Sequence, residues 1–181
     1  PTQEIGSDGF PVTVTTSVLE LYCWGRAIPG VHATDIPWKV EFPEDIFPLQ
    51  VSSGDGWGAC ALVENLSGPS NPFEIYCWGW NFNGELGDGS TVTRYSPTKV
   101  QFPLDQMPIW VDRGATTTCA IAKEVGGSHL GGGSHLGVYC WGDSRNSGDM
   151  VGTGVNTLST KTPTIQVTLP PNVVSVVSPI G

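Results

Sequence analysis

Positive charge is scarce in this chain. Eight Lys and Arg stand against seventeen Asp and Glu, for a formal net charge of −9. Phosphate backbones are gripped by Lys and Arg, so this balance predicts no nucleic-acid partner. Long apolar runs are missing too. None approaches the roughly 20 residues that a membrane-spanning helix needs, and no membrane span is predicted. Uninterrupted stretches are equally rare, because 24 Gly and 15 Pro punctuate the 181 residues. The longest segment free of both, Val12 to Trp24, is rich in Val and Thr. Side chains branched at Cβ lose rotamer freedom in a helix and pack well on a pleated surface, so this segment reads as strand. The sequence also lacks the Gly-x-Ser-x-Gly elbow, the His-Glu-x-x-His helix, a phosphate loop and a dinucleotide fingerprint. It is therefore read as non-enzymatic and without a cofactor. Disorder is excluded by seven Trp, six Phe and four Tyr, which disordered chains lack. The first residue is Pro1 rather than Met. This predicts either a removed signal peptide or a piece of a longer polypeptide.

What is present is a repeat. Tyr-Cys-Trp-Gly occurs at Tyr22–Gly25, Tyr76–Gly79 and Tyr139–Gly142. A second anchor is independent of the first: Pro37, Pro97 and Pro163 each precede a valine by 14 residues, at Val51, Val111 and Val177. A third occurs twice, as Ala59-Cys-Ala-Leu62 and Thr118-Cys-Ala-Ile121. Constant order among three anchors defines approximate units 1–54, 55–114 and 115–181 of one repeat domain. Each unit reads as a Val strand, a Gly turn, a Cys-Ala strand, a variable loop, a Tyr-Cys-Trp strand and a Gly-rich loop leading to a Pro-Thr segment. About four short strands per unit, repeated in series, are the blades of a β-propeller. The expected fold is all-β: a propeller segment of about three four-stranded blades. Four to eight blades close such a ring, so three predict an incomplete arc, completed by further blades of the same polypeptide or by other subunits.

The second unit reads Cys77-Trp-Gly-Trp-Asn-Phe-Asn-Gly-Glu-Leu-Gly-Asp-Gly-Ser-Thr91, followed by Arg94, Pro97 and Val100. It resembles a repeat of the regulator-of-chromosome-condensation type, and the resemblance extends from Leu21 over nearly the whole chain. The third unit keeps a looser form, with Gly148, Val151, Gly152 and Gly154. The first departs most, lacking the Gly-x-Leu-Gly-x-Gly loop. The family's founding activity, nucleotide exchange on a small GTPase with chromatin association, is one alternative the resemblance implies. An enzyme with its site at the propeller channel is another. Function sits in surface residues rather than in the fold, so neither transfers with the repeat alone.

Tyr and Trp of each Tyr-Cys-Trp strand share one face and Cys takes the other. Neighbouring blades cover both faces, so Trp24, Trp78 and Trp141 are expected to be buried. Trp38, Trp57, Trp80 and Trp110 are not all equivalently repeated, and they are the candidate recognition aromatics for a protein or glycan ligand.

The cysteines fall on complementary strands. Cys60 and Cys77 lie on consecutive strands of one unit, as do Cys119 and Cys140. Opposed residues of an antiparallel hairpin come within disulfide reach, which predicts these two bridges. The competing reading is five reduced thiols in a core. Bridges predict an extracellular or cell-surface location. The sequon Asn65-Leu-Ser67 between Cys60 and Cys77 agrees with this as a candidate glycosylation site. Cys23 has no upstream mate. The duplicated Gly-Gly-Ser-His-Leu-Gly at 126–137 is expected to be an exposed mobile loop without metal, despite His129 and His135. Asp55-Gly and Asp88-Gly-Ser read as turns rather than calcium loops.

Overall fold

A computed structural model describes residues 3–5, 11–13, 19–25, 34–54, 57–68, 71–125, 136–143 and 159–163. The described residues are strands and turns, without helix. The strands are β1 (Gln3–Ile5), β2 (Pro11–Thr13), β3 (Tyr22–Gly25), β4 (Thr34–Lys39), β5 (Ile46–Gly54) and β6 (Gly58–Asn65). They continue with β7 (Phe73–Gly79), β8 (Arg94–Lys99), β9 (Gln106–Arg113), β10 (Thr117–Glu124) and β11 (Leu136–Gly142).

One sheet has the full four strands, in the order β5-β6-β7-β8. The next has three, β11-β10-β9, and an isolated bridge between Gly142 and Thr160 marks where a fourth would begin. The first Tyr-Cys-Trp strand stands in a two-stranded sheet, β3-β4, and β1 pairs with β2 separately. The sheets form an all-β array that is not closed. The strand expectation for Val12 to Trp24 is met at its two ends, in β2 up to Thr13 and in β3 from Tyr22, while 14–18 lie outside the described residues and 19–21 are not strand. Val177 and residues 126–135 of the expected 126–137 loop lie outside them as well. Leu136 and Gly137 belong to β11 rather than to a loop, with Gly137 buried against its paired strand β10. The breaks between sequence units at 54/55 and 114/115 fall in the turns between the first and second strands of a sheet.

Register repeats between sheets. Cys60 lies opposite Cys77, and Cys119 opposite Cys140. Tyr22 pairs with Lys39 as Tyr76 pairs with Lys99, and a register shift follows the cysteine in both. At β7 the Gly that ends the motif, Gly79, makes the shift possible. Gly79 and Gly142 have φ of 110° and 109°, where only glycine is at ease. A Cβ at Gly142 would also strike the Thr116 carbonyl oxygen.

The sheets pack face to face in sequence order. Tyr76 and Trp78 are buried with Val40 and Ile46, and Leu21, Cys23, Trp38 and Phe42 pack against them. The opposite face of the same sheet puts Cys60 and Cys77 into a second core with Leu86, Val100, Val111 and Trp141. The four-stranded sheet thus shows aromatics to its predecessor and cysteines to its successor. Trp24 departs from the expected burial. It is 68% exposed, whereas Trp78 and Trp141 are fully buried. The physical reason is positional: the described strands that precede β3, β1 and β2, do not cover it.

Leading strands are also tied side by side. Gln50 donates its amide to the Val111 carbonyl at 2.9 Å, and the Ser52 hydroxyl donates to Asp112 Oδ1 at 2.5 Å. The Arg113 backbone N–H donates in turn to Ser52 Oγ at 3.0 Å.

Candidate interaction site

Antiparallel order puts the β5–β6 turn and the β7–β8 loop at the same end of the four-stranded sheet. Trp57 sits in that turn with φ of 53°, and its carbonyl accepts the Trp80 N–H at 3.1 Å. Three aromatic rings gather there. Trp57 and Trp80 have ring centroids 4.0 Å apart, and Trp80 and Phe82 are 5.2 Å apart, both edge to face. Trp57 is 41% exposed and Phe82 64%, while Trp80 is half-buried between them. Edge-to-face contacts of this kind stabilise an aromatic cluster by roughly 0.5–1.5 kcal/mol per pair.

The rim rests on a fixed base. Arg113, from the next sheet, is buried beneath it and donates to the carbonyls of Trp80 at 3.2 Å and Glu85 at 3.3 Å. Burial pulls the guanidinium down to about 10, against the opposing attraction of Glu85, so it is a cation at neutral pH. Gly58 makes room for it: a Cβ there would lie 2.7 Å from Nη2. The Glu85 carbonyl also accepts from Thr118 Oγ1 at 2.8 Å and Trp141 Nε1 at 3.0 Å. Three donors of one sheet thereby hold the loop of another.

The same loop is braced from within. The Asn81 amide donates to Asp88 Oδ1 and to the Ser90 and Val92 carbonyls, while its oxygen accepts the Leu86 N–H at 2.9 Å. Asp88 accepts from Arg94 Nε at 2.8 Å and from the Ser90 N–H and hydroxyl, which makes it the turn residue the sequence indicates. Burial alone would raise the Asp88 carboxyl, but the hydrogen bonds from Ser90, Arg94 and Asn81 outweigh it and hold it below the ordinary carboxylate range.

Of the four candidate recognition aromatics, the structure brings Trp57 and Trp80 together. Trp38 is half-buried against the Trp78 core, and Trp110 is half-buried in β9 opposite Ile121. Phe82 belongs to the rim and carries no repeat signal in the sequence. Asn65 ends β6 at the other end of the sheet. Its Nδ2 donates to Glu74 Oε1 at 3.0 Å, and its Oδ1 accepts from the Ser67 N–H and hydroxyl. It borders a groove of about 490 Å³ with Phe73, Phe102 and Leu104. Cys60–Cys77 and Cys119–Cys140 are at disulfide distance, with Cα atoms 4.1 Å apart in each pair. Among the described residues no three His, Cys, Asp or Glu side chains are grouped to hold a metal.

The geometry is matched by known proteins. Residues 74–121, which contain the braced loop and the Arg113 anchor, match the family described as the regulator of chromosome condensation (RCC1) repeat. The chain carries RCC1-like repeats. It is 28% identical over 121 residues to the ultraviolet-B receptor UVR8 of Arabidopsis thaliana, covering 67% of this chain and 23% of the receptor. It is 28% identical over 123 residues to the probable E3 ubiquitin-protein ligase HERC4 of Rattus norvegicus, covering 64% of this chain and 11% of the ligase. Its fold is similar to human WBSCR16, with a TM-score of 0.55 at 19% identity over 86% of this chain and 34% of that one. Prp20p of Saccharomyces cerevisiae, whose structure is described with its binding to Gsp1p and histones, gives 0.55 at 18% identity over the same shares. The chain thus spans about a third or less of each RCC1-like relative. The RCC1-like propeller supports a role in protein interaction.

Proposed function

We propose that this chain is a non-enzymatic, extracellular or cell-surface RCC1-like arc that recognises a protein partner through the Trp57–Trp80–Phe82 rim and assembles with further blades. The carrying observation is the rim itself: exposed rings on a loop fixed by the buried Arg113 and the Asn81–Asp88 network. Aromatic anchors on a preorganised loop lose little entropy on binding, which is how hot spots gain affinity. The two cysteine pairs support an oxidising compartment. Asn65 fits a glycan, because β6 separates it from the rim by about 24 Å at 3.4 Å per residue. The net charge of −9 speaks against a nucleic-acid partner.

The test is selection of displayed peptides on the wild-type chain, with the binders re-measured on Trp57→Ser and Phe82→Ser. Rim binding predicts a loss of about tenfold or more for each, the scale of a hot-spot residue. Leu104→Ser, an exposed apolar change elsewhere, should leave binding unchanged. Peptides indifferent to both rim changes would refute the reading. So would binding at the rim by an oligosaccharide panel but by no peptide.

A further inference from the structure

β3 repeats β7 and β11 in sequence, and β7 in its pairing with the strand that follows, but among the described residues it is paired on one side only. In the other two sheets the second side is taken by a strand of one type. Ala59-Cys60-Ala61 lies opposite Trp78-Cys77-Tyr76, and Thr118-Cys119-Ala120 lies opposite Trp141-Cys140-Tyr139. The equivalent side of Tyr22-Cys23-Trp24 leaves Tyr22 44% exposed, whereas Tyr76 and Tyr139 are buried. Cys23 is a free thiol that packs against the Trp78 core, as Cys77 shares the core of Trp141. The other four cysteines of the chain are already paired, so a cysteine that mates with Cys23 comes from outside these 181 residues.

We propose that the free edge of β3 takes up, in antiparallel register, a strand of the small–Cys–Ala type from a further repeat unit, and that Cys23 closes a disulfide with its cysteine. This rests on reading the chain as an arc that meets further blades, and does not depend on the aromatic rim. Main-chain hydrogen bonds would supply affinity, as in other strand additions, and the cysteine would fix the register. The bond forms by exchange. The Cys23 thiolate attacks the incoming cysteine's sulfur, which arrives as a mixed disulfide with a small thiol such as glutathione. That small thiol leaves with the electron pair of the broken S–S bond and takes up a proton. Burial raises the Cys23 thiol, so the step is slow for a random thiol reagent and depends on docking.

The probe is a synthetic peptide with the β6 sequence Gly-Ala-Cys-Ala-Leu-Val-Glu-Asn, its cysteine activated as an aryl mixed disulfide, added to the 181-residue chain. Release of the aryl thiol is followed against a shuffled peptide of the same composition. Docking predicts that the β6 peptide reacts about tenfold faster or more, that the advantage vanishes in denaturant, and that Trp24 emission shifts to the blue. Cys23→Ser should abolish the adduct but keep the blue shift at higher peptide concentration. Equal rates for the two peptides would overturn the proposal, as would a Cys23–Cys23 dimer forming in preference to the peptide adduct. Rim variants such as Trp57→Ser should leave the rates unchanged, which keeps this result separate from the recognition reading.

Discussion

Trp141 donates its indole N–H to the carbonyl of Glu85 at 3.0 Å, joining the third Tyr-Cys-Trp strand to the Gly-x-Leu-Gly-x-Gly loop of the preceding unit. Trp78 occupies the same place one unit earlier and is as deeply buried, but its indole nitrogen has no acceptor among the described residues. The first unit, which precedes Trp78, is the one without that loop. Among the described residues, the unit without the loop thus offers the Trp78 donor no counterpart of the Glu85 carbonyl.

The contrast predicts unequal costs. Trp141→Phe keeps a ring but removes the donor, and should lose about 1 kcal/mol more stability than Trp78→Phe, the usual net worth of one hydrogen bond. Urea unfolding of the two variants checks this. Equal losses would show that the Glu85 contact adds nothing beyond ring packing.

Gly142→Ala should be among the costliest small changes. The φ of 109° and the approach of Thr116 together predict a loss of about 2–3 kcal/mol or failure to fold. A thermal melt reads it. A shift of less than about 2 °C would mean the backbone relaxes there freely.

Asp88 predicts a pH signature. Its folded carboxyl titrates below the ordinary 3.8, so its contribution is fully present above the unfolded value and is lost as pH falls through the folded one. Asp88→Asn should cost about 1–2 kcal/mol at pH 7, and the gap to wild type should narrow below about pH 4. Stability curves that stay parallel down to pH 2 would contradict a pairing that depends on the Asp88 charge.

The strand plan was legible because its signal is covalent and repeated. Tyr-Cys-Trp-Gly fixes strand, bulge and turn at once, and the Cys-Ala anchor aligns the neighbour so that cysteines face each other. The Trp57–Trp80 contact was legible only as two separate candidates, since nothing in their spacing says that a turn and a loop meet at one end of a sheet. Trp24 misled for the opposite reason. The residue is the same as in the other units, and its burial depends on a neighbouring sheet rather than on its own strand. Phe82 and the Glu85 carbonyl were invisible: one has no counterpart in the other units, and the other is backbone, present at every residue.

The extracellular placement stands on the cysteine pairs. Non-reducing peptide mapping of the purified 181-residue chain, alkylated before digestion, tests them most directly. It should yield Cys60 linked to Cys77 and Cys119 linked to Cys140, with Cys23 alone carrying the alkyl label. Alkylation at all five positions would contradict the account and return the cysteines to an ordinary reduced core.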